Sequence, residues 1–241
     1  MGEVQVRPQR QTLADKTYDE LNSRIMQSVL PPGAKLSIDG LARQMAISQT
    51  PLREALARLE AEGLVERRPL SGYSVTPLLT TEEFNDLFDL RLLMEPLAAS
   101  RAAERVANPH NMVGDGKALR ALARTPEYHS DAKLSQLAFT EADAKFHASV
   151  AKCSGSPVLA KAIRRLDAHL HLHRAYMEPE SISETEAEHL AVAEAIIAQQ
   201  PLAAEAAMRR HLKRSRVRHA AAFTAAEADA APNPKRAKAN R

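Results

Sequence analysis

Apolar residues recur at helical spacing along most of this chain. Leu52, Ala55, Leu56 and Leu59 fall at i, i+3, i+4 and i+7, the stripe by which an amphipathic helix faces a core. Pro51 suits the first turn of that helix, where its missing N–H would have had no partner. Ser48 or Thr50 can cap the turn and Gly63 closes the far end, which predicts a helix over 49–62. Upstream, Leu21, Ile25 and Met26, with Tyr18 and Val29, predict a helix from Thr17 to Val29 that ends at Pro31-Pro32-Gly33. Leu41 and Met45 predict a short one from Ser37 to Met45. The period then changes: "LVERRPLSGYSVTP" alternates short apolar runs about a Ser-Gly turn, the pattern of a small β-hairpin. Three helices and a hairpin predict a winged helix-turn-helix over 13–77, behind a polar arm at 1–12.

After Pro77 strand signals cease. Helices are expected near 81–106, 116–124, 131–152, 156–177, 183–199 and 201–223, an all-helical antiparallel bundle over 78–223. Residues 224–241 are rich in Ala and Pro, basic and without an apolar period, and are expected to be a disordered tail. The fold class is therefore mainly α, with one small β wing. Composition agrees: aromatics are 4% of residues, Trp is absent, and Ala and Leu dominate the 44% hydrophobic content, which favours helix-on-helix packing. A single cysteine, Cys153, excludes an internal disulfide and fits a reducing compartment. With no apolar run of membrane length and no signal-peptide core at the start, a soluble cytoplasmic protein is expected. The net charge is +3, and its distribution matters more. Residues 1–76 carry 10 Lys and Arg against 9 Asp and Glu, 77–204 carry 13 against 18, and 205–241 carry 10 against 3. The basic excess lies at the C-terminal end, so overall basicity is no argument for DNA binding by the winged helix.

Two constellations carry chemistry. In the first, Ser48, Gln49, Thr50 and Arg53 gather at the start of the third helix, opposite its leucines. In a major groove, Arg53 suits guanine O6 and N7, Gln49 suits adenine N6 and N7, and the hydroxyls suit phosphate or base edges. Arg58 further along, and Gly72 at the hairpin tip, complete the expected DNA-binding set. An amphipathic helix after a turn is also common in proteins that bind other proteins, and the pattern alone leaves both readings open. In the second constellation, Asp143 and His147 lie one helical turn apart on one face, and His189 and His211 lie on two later helices. A bundle can bring one carboxylate and three imidazoles together, a donor set suited to Zn²⁺, with Ni²⁺ or Mn²⁺ as alternatives. With nine histidines in the chain, ordinary core or surface roles stand beside that reading.

The segment "PPGAKLSIDGLARQMAISQTPLREALARLEAEGLVERRPLSGYSV" resembles the DNA-binding domain of GntR-family transcription regulators. The Pro-Gly before the second helix, the run S-x-T-P-L-R-E-A-L-x-R-L and the Gly of the wing carry the resemblance. Two positions depart from the family pattern: Gln49 stands where Arg is usual, and Asp39 where some members carry an Arg that contacts DNA. Both departures remove positive charge. Residues 82–215 resemble the FCD effector domain, through "EADAKFHASVAKCSGSPVL", "ETEAEHLAVAEAI" and "AAMRRHLKRS". That resemblance implies Asp143, His147, His189 and His211 as metal ligands.

Arg91 falls on an apolar stripe between Leu87 and Met94, where a guanidinium needs an anion. Glu95, one turn on, is one such partner; the resemblance implies an effector carboxylate instead. On a continuous helix over 156–177, His173 shares the stripe of Leu159, Ile163, Leu166 and Leu170 and joins Arg91 as an effector-binding residue, while His169 and His171 point elsewhere. The expectation is a homodimeric, non-enzymatic repressor that binds a double-stranded operator, does not touch the membrane, and senses a small carboxylate at a metal. A metal-dependent hydrolase tethered to DNA, and a DNA-binding protein whose metal only staples the bundle, are the alternatives.

Overall fold

The computed structural model describes residues 11–68, 72–106, 116–124, 132–175 and 179–230. The chain divides into two compact units between Pro77 and Leu78.

In the first unit, α1 (Leu13–Met26) begins in a capping box: Thr12 Oγ1 accepts from the Asp15 amide and the Asp15 carboxylate accepts from the Thr12 amide. This cap starts the helix four residues before the predicted Thr17. Helices α2 (Ile38–Gln44) and α3 (Gln49–Ala61) follow, and α3 packs on both α1 and α2. Leu21, Leu52, Ala55, Leu56, Leu59 and Leu64 are fully buried, so the apolar stripe read along the third helix is the core. Strands β2 (Val65–Arg68) and β3 (Gly72–Val75) form the antiparallel wing, with Val65 opposite Val75 and Arg68 opposite Gly72. A strand the apolar pattern does not announce, β1 (Lys35–Leu36), adds to the other edge of β3, giving the order β1-β3-β2. Two residues are too few to show an alternation.

The second unit contains no strand among the described residues. Its helices are α4 (Thr81–Val106), α5 (Gly116–Leu122), α6 (Ala132–Cys153), α7 (Pro157–Arg164), α8 (Ala168–Ala175), α9 (Pro179–Ile197) and α10 (Pro201–Ala230). A core of Ala99, Ala102, Phe146, Val150, Val192, Ile196, Met208 and Leu212 joins α4, α6, α9 and α10. Small residues at these crossings let the helices approach closely. Pro96 lies inside α4 and cannot donate to the Leu92 carbonyl four residues back. The guanidinium of Arg209, on α10, lies 3.5 Å from that carbonyl and donates to it.

Two expectations change. The predicted helix over 156–177 is two helices, broken at Asp167, whose φ of +43° lies in the left-handed region. The Asp167 carbonyl accepts from His171 and starts α8 in a new phase, so a stripe counted across the break does not hold. Part of the expected tail at 224–241 is helical, since α10 continues to Ala230. The stretch "AAEADA" at 225–230 is favoured as helix by its alanines, because Ala is the strongest helix former. The predicted arm at 1–12 lies largely, and the tail beyond 230 wholly, outside the described residues.

Candidate functional site

Histidines 147, 189 and 211 converge inside the second unit from α6, α9 and α10, each 2–3% exposed. Their ring centroids lie 4.7 to 5.1 Å apart, and one nitrogen from each falls within 4.8 Å of the others. Asp143 joins from α6, one turn before His147, with Oδ1 3.2 Å from His189 Nε2 and 3.7 Å from His147 Nε2. All four residues expected from the sequence as ligands are thus brought together.

Outer partners hold three of the four. The His147 Nδ1 meets Glu95 in a short contact, and Glu95 accepts in turn from Arg91 Nε at 2.6 Å. His211 Nδ1 lies 2.8 Å from Glu188 Oε2, and Glu188 also receives Arg218 Nη2 at 2.8 Å. A carboxylate only accepts, so each imidazole donates through Nδ1 and leaves Nε2 as a bare lone pair. His189 is stacked on Phe146 at 4.1 Å between centroids. Asp143 Oδ2 lies 2.5 Å from His169 Nδ1.

Burial lowers the pKa of His147 to about 4, despite Glu95 and Asp143 beside it, and that of His211 to about 3, despite Glu188. Both rings are neutral at pH 7, the form that ligates metals. Burial raises the Asp143 carboxyl, but His169, His189 and His147 outweigh it and hold the group well below its ordinary range. Glu188 is likewise raised by burial and brought down to about 2 by His211 and Arg218.

The donor set passes a direct test of fit. His147 Nε2 and His189 Nε2 are buried and make no hydrogen bond; the 3.2 Å approach of His189 to Asp143 is proximity without hydrogen-bond alignment. Two orphaned imidazole nitrogens beside an ionised carboxylate are costly unless a cation binds them. An Asp-His₃ set suits a divalent cation.

The effector-binding residues are placed less simply. Arg91 is 1% exposed and pairs with Glu95, the internal partner, while its Nη2 makes no hydrogen bond. His173 is buried, with Nδ1 2.9 Å from Thr140 Oγ1 and Nε2 3.4 Å from Asp143 Oδ2. Its ring stacks on His219 at 5.8 Å. His169, expected to point away, faces Asp143. His169 and His173 stand at i and i+4, a spacing that shares one face of any α-helix; after the break at Asp167 that face of α8 is turned toward Asp143. That the two share a face was legible in their spacing; the direction of that face, reset by the break at Asp167, was not.

On the first unit, Ser48, Gln49, Thr50 and Arg53 are exposed at the N-terminal end of α3. Ser48 is the N-cap residue but its hydroxyl makes no capping bond. Gln49 has both amide atoms engaged: Nε2 donates to Asp39 Oδ1 at 2.5 Å and Oε1 accepts from Arg53 Nη2 at 3.0 Å. The two positions that depart from the family pattern therefore contact each other. Gly72 holds φ +79° with open space around it, a backbone state that favours glycine. Arg58 is placed differently from the expectation. Its guanidinium donates to Asp15 at 2.8 Å and lies 4.1 Å over the Tyr18 ring, both on α1. Nine residues past Gln49, at about 100° each, it lies half a turn around α3 from Gln49.

The family models settle the class. Residues 13–75 match the model "Bacterial regulatory proteins, gntR family", and residues 86–214 match the FCD domain. The chain belongs to the GntR family and carries an FCD domain, in a family of transcription regulators rather than enzymes. It is 29% identical over 209 residues to the HTH-type transcriptional repressor GlaR of Escherichia coli K12, covering 81% of this chain and 90% of that protein. It is 34% identical over 86 residues to an HTH-type transcriptional regulator of Agrobacterium vitis, covering 36% of this chain and 50% of that one. The chain spans about half or less of the length of several such relatives. A solved GntR regulator from Rhodococcus sp. RHA1 shares the fold, with a TM-score of 0.62 at 20% identity over 85% of this chain and 95% of that one.

Proposed function

We propose that this protein is a cytoplasmic transcription repressor that binds a double-stranded operator as a homodimer and releases it when a small carboxylate binds the second unit. The observation that carries the sensing part is the pair of orphaned nitrogens, His147 Nε2 and His189 Nε2, facing Asp143. Asp143, His147, His189 and His211 hold the divalent cation, Zn²⁺ in the first instance. When bound, that cation supplies positive charge and an open coordination position for a carboxylate oxygen. Glu95 and Glu188 orient two of the imidazoles and keep Nε2 available. Burial lowers the pKa of both His147 and His173, and Arg91, whose Nη2 makes no hydrogen bond, adds to that lowering. It supplies the cationic wall of the effector site, with His173 beside it.

Operator contact rests on Ser48, Gln49, Thr50 and Arg53, with Gly72 letting the wing approach the DNA backbone. Dimerisation is supported by an exposed apolar stripe on α4: Leu90, Leu93 and Leu97, at i, i+3 and i+7, are 46%, 72% and 44% exposed. A symmetric pair places two winged helices on the half-sites of a pseudo-palindrome. The effector acts by binding one arrangement of the dimer better than the other, a coupling typically worth ~1–3 kcal/mol. Catalysis is the weaker reading, because Glu188 is committed to His211 and Arg218 rather than poised as a general base.

The test is elemental and mass spectrometry on the purified protein, together with operator binding across a panel of small carboxylates. About one divalent metal per chain and a carboxylate that weakens operator binding are expected. A chain that takes up no metal overturns the sensing reading and leaves the DNA-binding one. Metal uptake with operator binding indifferent to every carboxylate makes the metal a staple.

A further inference from the structure

Asp143 stands between two sets of histidines. Its Oδ1 faces His189 and His147, at 3.2 and 3.7 Å. Its Oδ2 faces His169 Nδ1 at 2.5 Å and His173 Nε2 at 3.4 Å, both from α8. The carboxylate only accepts, so the proton in the 2.5 Å bond belongs to His169, and the bond is of the short, charge-assisted kind. Without it, the terminal torsion of Asp143 is broad and roughly two-fold, and either oxygen can turn toward the histidine set.

His169 reaches Asp143 because the chain breaks at Asp167 and α8 restarts against α6. Glu95 holds His147, Glu188 holds His211 and Phe146 stacks on His189. Asp143 completes the pattern with His169 as its holder.

We propose, resting on the reading that Asp143, His147, His189 and His211 bind a divalent cation, that His169 is a positioning residue of that centre. By fixing Oδ2 it presents Oδ1 to the cation, sets the affinity of the site, and makes α8 sensitive to its occupancy. A donor nitrogen of His169 lies within 4.8 Å of donor atoms of Asp143 and His147, but Nδ1 is engaged by Asp143 Oδ2, which makes His169 a holder rather than a ligand.

The test uses the full chain, stripped with a chelator and titrated with Co²⁺ in competition with a chromophoric chelator, while the d–d absorption is recorded. His169→Leu and His169→Asn have the same shape and differ in the donor, which in Asn falls near the place of Nδ1. His169→Leu is expected to weaken Co²⁺ binding about 10–100-fold, the usual effect of removing an outer-shell partner, and to shift the d–d band. His169→Asn is expected to recover most of the affinity. Wild-type affinity in His169→Leu, or equal weakness in both variants, overturns the proposal. A wild-type chain that binds no Co²⁺ overturns the metal reading and this proposal with it. Binding lost in His189→Ala but untouched in His169→Leu overturns this proposal alone.

Discussion

The two units of this chain carry their chemistry in opposite places. The first contains no histidine, and Asp39, Ser48, Gln49, Thr50 and Arg53 all lie on its surface. The second contains all nine histidines of the chain, and buries Asp143, His147, His173, His189, His211 and Arg91 to 6% exposure or less. A surface that reads a polymer spends little on desolvation and needs only a rigid helix behind it. A buried donor set pays for every polar atom and therefore accumulates outer partners such as Glu95, Glu188 and His169.

The largest expected effect separates the units outright. His189→Ala is expected to cost metal affinity at least about 100-fold, beyond the range of an outer-shell loss. Operator binding by the metal-free variant should match that of the stripped wild type; isothermal titration with Co²⁺ and gel shifts measure both. An unchanged Co²⁺ isotherm would remove His189 from the centre.

Arg53→Ala is the reciprocal experiment. Loss of one bidentate base contact is worth about 1–3 kcal/mol, so operator affinity should fall by about one to two orders of magnitude while metal content stays at the wild-type level. A variant that binds the operator as tightly as the wild type would move the recognition contact elsewhere on the first unit.

Between pH 8 and pH 5, acid is expected to act chiefly on one unit. Burial holds His211 and His173 at about 3 and His219 at about 4, against about 6.5 in the unfolded chain. The unfolded state therefore binds more protons below pH 6.5. Their contribution to stability is complete above that value and is lost as pH falls from about 6.5 toward about 3. Calorimetry of the chelator-treated protein between pH 8 and pH 5 should show the melting of the second unit falling while that of the histidine-free first unit holds nearly constant. Parallel decline of both transitions would mean that the buried imidazoles do not set the acid response.

The smallest effect sharpens the boundary of the DNA-binding face. Arg58→Ala removes an exposed ion pair to Asp15 and a contact with the Tyr18 ring. A slight loss of melting temperature and unchanged operator affinity are expected. A loss as large as that of Arg53→Ala would return Arg58 to the contact surface.

Local pattern determined a large part of this protein. The leucine stripe of α3, the proline and serine at its start, and the span Thr81–Val106 of α4 follow from spacing and capping that act within a few residues. The i, i+4 pair of Asp143 and His147 is local for the same reason, and the resemblance to FCD domains added His189 and His211. Tertiary structure alone decided the rest. One left-handed residue at Asp167 resets the phase of α8 against α7 and directs the shared face of His169 and His173 to Asp143. The pairing of Gln49 with Asp39 joins α3 to α2. Glu95 and Glu188 become holders of His147 and His211 because α4, α6, α9 and α10 pack side by side. Periodicity reports which face of a helix is apolar; what that face meets depends on the breaks and crossings between helices, set by contacts among residues far apart in the chain.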